Sequence, residues 1–392
     1  MRGPIRIAPP ITALIWRSLA VAALTLALGG CGASSAGQIT TQPTATAVAP
    51  PLSGMKVPYL TGVSMVSTDE GWAVGYGGLA GGAAFALHDQ RGVWTKQPLT
   101  IQTTDAEMTF SPLGVQMISA TDGWIYGSVG SNVTLPSQAA MLHLAGGSWQ
   151  EEALPTGLSA IRAISFVSAD TGWALAYPAD LTSNDTVILK YAGGQWTIQK
   201  RLIGMRLTTL SMATPIDGMA IGDHGLYRYK AGAWTPTALP ASIPTSRFVG
   251  VAMISENEAW ALAFYTEETS CQECGSGFET VLAHYVNGAW TKVADAQTLR
   301  LELQHTFDSD IQLLPNALRA TADGQVWITY GALAHYAGGQ RMEAFETGCP
   351  SDFWGASPVP GADEAWAIGS NGQLFHYAAG EVTRYETGAP CI

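Results

Sequence analysis

Residues 63–75 read "VSMVSTDEGWAVG", and the same pattern returns as "VQMISATDGWIYG" at 115–127, "AISFVSADTGWALA" at 163–176 and "VAMISENEAWALA" at 251–263. Each stretch is an apolar strand, a polar turn, and then Gly-Trp or Ala-Trp followed by small apolar residues. The landmark positions are Trp72, Trp124, Trp173, Met219, Trp260, Trp327 and Trp366, which span 294 residues in six intervals, a mean of 49. A second half follows each landmark: "LHDQRGVW" at 87–94, "LHLAGGSW" at 142–149, "LKYAGGQW" at 189–196, "YRYKAGAW" at 227–234 and "AHYVNGAW" at 283–290, with "AHYAGGQR" and "FHYAAGEV" as weaker copies. Each unit therefore supplies four short strands. Strand a precedes the polar turn, b begins at the first Trp, c ends in the basic-Tyr pair, and d begins at the second Trp. Four antiparallel strands per period of about 40–50 residues are one propeller blade. Such a sheet cannot bury both of its faces alone, so blades must pack face to face around an axis. Strand c supports this, because Val187-Ile188-Leu189 and Val281-Leu282-Ala283 are apolar on both faces. The expected fold is all-β: a seven-bladed β-propeller with four antiparallel strands per blade, over residues 58–392.

This repeat resembles the Trp-rich propellers that include the photosystem II assembly and stability factors and the sialidase-type Asp-box repeat proteins. The "GWAVG" stretch followed by a Gly turn and Trp carries the resemblance, which covers residues 58–392. The full Asp-box, S-x-D-x-G-x-T-W, is not present; Ser168–Trp173 keeps Ser, Asp and Gly but brings Trp too early. The resemblance implies the architecture, and it implies that such propellers can act as assembly chaperones.

Composition agrees with an exported all-β domain. Only 13% of the 392 residues are charged, about half the usual share, while Gly (44) and Trp (13) are abundant. The net charge of −12 argues against nucleic acid as a partner, since phosphate backbones need clustered Lys and Arg. Residues 1–30 read as a signal segment, with Arg2, Arg6 and Arg17 before an apolar run, Ser18 to Leu28, too short to span a membrane. Leu28-Gly29-Gly30-Cys31 resembles the lipobox of bacterial lipoproteins, which implies lipid attachment at Cys31 and anchoring to the outer face of a bacterial membrane. Residues 32–57, rich in Ala, Thr, Gln, Ser and Pro, read with Cys31 as a flexible tether. Four further Cys in an exported chain predict two disulfides, Cys271–Cys274 and Cys349–Cys391. A redox or zinc pair is the other use of Cys271-x-x-Cys274.

Candidate chemistry is sparse. A basic residue stands six positions before every strand-d landmark: His88, His143, Lys190, Arg228, His284, His335 and His376. A position filled once per blade in the third strand, far from the axis, cannot converge on one metal or substrate, so this column reads as packing. His224 reads as a turn residue. His305, Asp308 and Asp310 could approach a cation, but no further ligand is near in sequence. No nucleophile elbow, His-Glu-x-x-His or phosphate-binding loop is present, and neither a cofactor nor a metal is expected. In an antiparallel meander the a–b and c–d turns share one face, and the b–c and d–a loops share the other. Length varies on the second face, most of all around residues 265–280 and 293–314. There Glu267, Glu268, Glu273, Glu279, His305, Asp308 and Asp310 form a candidate acidic binding surface. The expected function is a monomeric, lipid-anchored binding or assembly scaffold for a protein or glycan partner. The alternative is a hydrolase or lyase of extracellular glycan working in a propeller cleft.

Overall fold

The computed structural model describes residues 47–48, 57, 59–77, 82–103, 108–130, 137–222, 225–241, 243, 247–267, 277–295, 317–330, 332–337, 340–345, 353–369 and 372–385. Seven sheets of four antiparallel strands follow one another along the chain, at 59–98, 109–151, 158–202, 207–236, 247–295, 318–345 and 353–385. Strand a of each blade contacts strand a of the next, and that of the seventh returns to the first, which closes the ring and places the a strands around the axis. Apolar clusters lie between successive blades. One joins Trp72 and Val74 of blade 1 to Val115 and Ile125 of blade 2, and another joins Leu60 and Phe85 of blade 1 to Trp366 and Ile368 of blade 7.

The repeat motif now has a physical cause. Strand a turns into strand b, and the strand-a Met or Phe lies across the Gly of the Gly-Trp pair. A Cβ added at Gly71 would sit 2.2 Å from the Met65 sulfur, and one at Gly172 2.5 Å from the Phe166 ring. The c–d turns hold two residues with positive φ, such as Gly193 (61°) and Gly194 (78°), the geometry of a two-residue hairpin that matches strand twist. Strand b starts two residues earlier than its Trp, at Glu70 in blade 1, and strand d one residue earlier than its Trp, at Val93. The turns are tighter than the sequence reading allowed, so pairing extends to their edges.

Neighbouring blades are also stitched by side chains on strand a. The position paired with the first Trp carries Ser64, Gln116, Ser165, Ser211 and Ser357. Their side chains accept hydrogen bonds from the backbone N–H of Met117 (2.9 Å), Phe166 (3.2 Å), Met212 (2.9 Å), Met253 (2.9 Å) and Met65 (2.9 Å) in the following blade. Blades 5 and 6 carry Ala252 and Arg319 at this position. The seventh blade presents Pro358, without an N–H, to its predecessor.

Two parts of the segment read as a tether belong to the propeller. Ala47–Val48 pairs in parallel with the outermost strand of blade 7, at Thr383 and Arg384, and Val57 is buried between blades 7 and 1.

Candidate functional site

The basic column is framework, and the structure shows how. In five blades the His ring stacks on the first Trp: Trp72–His88 at 4.0 Å, Trp124–His143 at 3.9 Å, Trp260–His284 at 3.8 Å, Trp327–His335 at 4.0 Å and Trp366–His376 at 4.4 Å. The acid two residues before the Trp meets the Nε2 at the edge of the ring. Glu70 bonds His88, Asp122 bonds His143 (2.9 Å), Glu258 bonds His284 (3.0 Å) and Glu364 bonds His376 (3.4 Å). In blade 4 the pair is Asp217–Arg228 at 2.5 Å, and in blade 3 Lys190 lies over Trp173 at 5.2 Å. Those acids were visible in sequence as a column, but they gain meaning only when strands b and c pair.

Blade 6 breaks the column. Gln325 replaces the acid and is bonded to Asp323 at 3.0 Å, and His335 is buried with no hydrogen bond at either ring nitrogen among the described residues. Burial pushes the His335 pKa below its ordinary value. A depressed His pKa means the unfolded chain binds the proton better, so stability falls as pH drops below about 6.5. Gln325→Glu should restore the pair, raise stability by about 0.5–1 kcal/mol and lessen the acid sensitivity. Thermal unfolding of the two proteins between pH 5 and 8 checks this.

A different group of side chains has the character of a site. It lies where the b–c and d–a connections of blades 3 and 4 meet the axial strands. Tyr177 stands near the end of strand b of blade 3 (Thr171–Pro178), and its hydroxyl donates to the Leu207 carbonyl of blade 4 at 3.2 Å. Arg162 is the extra residue of a bulge in strand a of blade 3 (Leu158–Ser168), between Ile161 and Ala163. Arg206 immediately precedes strand a of blade 4 (Leu207–Thr214). Both guanidinium groups lie over the Tyr177 ring, Arg162 at 5.7 Å and Arg206 at 4.0 Å. The Arg162 Nε is buried and has no hydrogen-bond partner among the described residues.

The acids of the adjoining loop are committed elsewhere. Asp185 accepts from Arg201 Nε at 2.9 Å and from the Gly204 amide at 2.8 Å, while Asp180 accepts from the Thr182 amide at 3.0 Å and its hydroxyl at 2.6 Å. These bonds, led by Gly204 for Asp185 and Thr182 for Asp180, hold both carboxyls below their ordinary range. Among the described residues neither Arg162 nor Arg206 has a carboxylate within ion-pair distance. On the same side of blade 3, Leu181 (69% exposed) and Ile203 (74%) stand in solvent. Two guanidinium groups fixed on one aromatic ring suit planar, two-point capture of a carboxylate.

Of the residues singled out in sequence, Cys31, Glu268, Cys271, Glu273, Cys274, His305, Asp308, Asp310, Cys349 and Cys391 lie outside the described residues, as does His224. Glu267 ends strand b of blade 5 (Glu258–Glu267), and Glu279 lies in strand c (Gly277–Val286), so the backbone brings both to the tip of one hairpin. Register pairs Glu267 with Gly277 and Tyr265 with Glu279. Part of the length at 265–280, residues 265–267 and 277–280, is thus strand.

No protein-family model matches the chain, and no curated protein matches it. Solved structures do. YCF48 bound to D1 peptide is 17% identical, with 83% of this chain and 95% of that chain covered at a TM-score of 0.53. YCF48 from Cyanidioschyzon merolae is 15% identical, with 83% and 96% covered and a TM-score of 0.52. U3-55K is 11% identical, with 81% and 90% covered and a TM-score of 0.54. At these identities the likeness is one of fold.

Proposed function

We propose that this chain is a binding or assembly scaffold that captures a carboxylate-bearing segment of a protein partner at the Arg162–Tyr177–Arg206 cluster. The observation that carries the reading is a pair of guanidinium groups without a carboxylate partner among the described residues, in a chain of net charge −12. Such a pair is costly to hold together unless a ligand supplies the counter-charge. Aromatic and Arg side chains are also the residues in which interface energy concentrates. The likeness to YCF48, which has been solved with a D1 peptide, agrees with a peptide ligand for this fold. Lipid on Cys31 would hold the scaffold at the outer face of a bacterial membrane, where tethering raises its effective concentration for envelope partners.

The test is a panel of short peptides, acidic, basic and neutral, titrated against the propeller by fluorescence anisotropy. Acidic peptides should bind, and weaken as salt is raised. Preference for basic peptides would contradict the reading and move recognition to the acidic segment of blades 5 and 6.

A further inference from the structure

The residue after the basic column packs each blade onto its predecessor. Tyr191 lies 4.9 Å from Trp124, Tyr229 5.0 Å from Trp173, Tyr336 5.7 Å from Trp260 and Tyr377 4.9 Å from Trp327. Blade 2 has Leu144 at this position, buried in the cluster it shares with blade 1. Blade 1 has Asp89, whose neighbour across the ring closure is blade 7. Asp89 is fully buried, and neither carboxyl oxygen has a well-formed hydrogen bond among the described residues. Its ring slot is taken by Tyr385, from the outermost strand of blade 7, which lies 5.1 Å from Trp366. Trp94 of blade 1 meets Trp366 edge-on at 5.0 Å. The Ala47–Val48 strand pairs onto this same outermost strand at Thr383 and Arg384. An acid has replaced an aromatic ring at the closing junction of the propeller.

We propose that the junction between blades 7 and 1 is a proton-controlled latch, closed when the Asp89 carboxyl is protonated and loosened when it ionises. A neutral carboxyl is tolerated in an apolar seam, whereas a buried unpaired carboxylate is not. Burial, the largest cause, raises the Asp89 pKa from its ordinary 3.8 to about 6; the Gly92 amide and His88 pull it down, and Glu70 and Asp69 push it up. On the blade 7 side the facing titratable group is Tyr385, whose pKa is raised by burial first and by Asp89 second. The folded protein therefore holds this proton better than the unfolded chain. The stabilising effect of the proton is fully present below about 4 and is lost as pH rises through about 6. Loosening frees the outermost strand of blade 7 and, with it, the N-terminal strand it carries.

The latch is tested on the full chain with Asp89→Asn, and with Asp89→Leu, which copies blade 2. Thermal midpoints are measured from pH 4 to 8, with pH-corrected hydrogen exchange of residues 381–385. The wild type should lose several degrees relative to both variants between pH 5 and 7, and exchange at 381–385 should rise about tenfold in the wild type alone. Parallel midpoint profiles for wild type and variants, or faster exchange that persists without the carboxyl, would overturn the proposal. If one variant fails to fold, the other carries the comparison.

Discussion

Replacing Trp173 with alanine will cost the propeller about 3–5 kcal/mol, the usual price of deleting a fully enclosed large ring. Trp173 has no exposed surface and packs among Leu175, Ile188, Leu207, Leu210 and Met212, with Tyr229 at 5.0 Å and the Lys190 ammonium at 5.2 Å. It therefore joins blade 3 to blade 4, and its removal empties an interface rather than a surface. Trp173→Met should lose less than alanine, because blade 4 itself carries Met219 in this slot, 1% exposed. Urea midpoints of the three proteins check both statements; equal losses for Ala and Met would show that the site collapses around either residue.

The Arg162→Ala, Arg206→Ala double variant will lose capture of an acidic partner by about 100-fold or more. A hydrogen bond to a charged group contributes roughly 1.5–3 kcal/mol, and each 1.4 kcal/mol is tenfold in affinity. Stability should not fall by much, because loss of the contacts with the Tyr177 ring is offset by relief of two like charges that have no carboxylate partner among the described residues. Arg206→Lys should recover little, since an ammonium keeps the charge but not the two-point fork. Isothermal titration with an acidic peptide from the panel separates these outcomes. Undiminished affinity in the double variant would place recognition elsewhere.

The fold was legible because it repeats. A basic residue stands six positions before every strand-d landmark, and Gly precedes the first landmark in blades 1 to 4, so the copies align although the loops between them differ in length. The Met at 219 and the missing second Trp of blade 6 were readable as substitutions within that frame. The candidate site was not legible, for the opposite reason. Arg162 fills a bulge position that holds Thr61, Leu113, Thr208 and Val249 in other blades, so it belongs to no column. Arg206 lies outside any strand, and Tyr177 comes from a different turn of the chain. Their meeting depends on the bulge and on the closure of blade 3 against blade 4, which no spacing rule encodes. Asp89 was visible as a departure from Tyr, but its burial is a consequence of ring closure. The acidic stretch from Glu267 to Asp310 drew notice through its length, and part of that length is an extended hairpin.

The most direct measurement of the scaffold reading is photo-crosslinking in intact cells from two exposed isoleucines on opposite faces. Ile203 (74% exposed) lies in the d–a connection that carries Arg206, and Ile216 (59% exposed) lies on an a–b turn of the other face. A photoreactive residue at 203 should give a discrete protein adduct that disappears in the Arg162→Ala, Arg206→Ala background, while one at 216 should give none. An adduct from position 216 alone, or one from 203 that survives loss of both arginines, would contradict it.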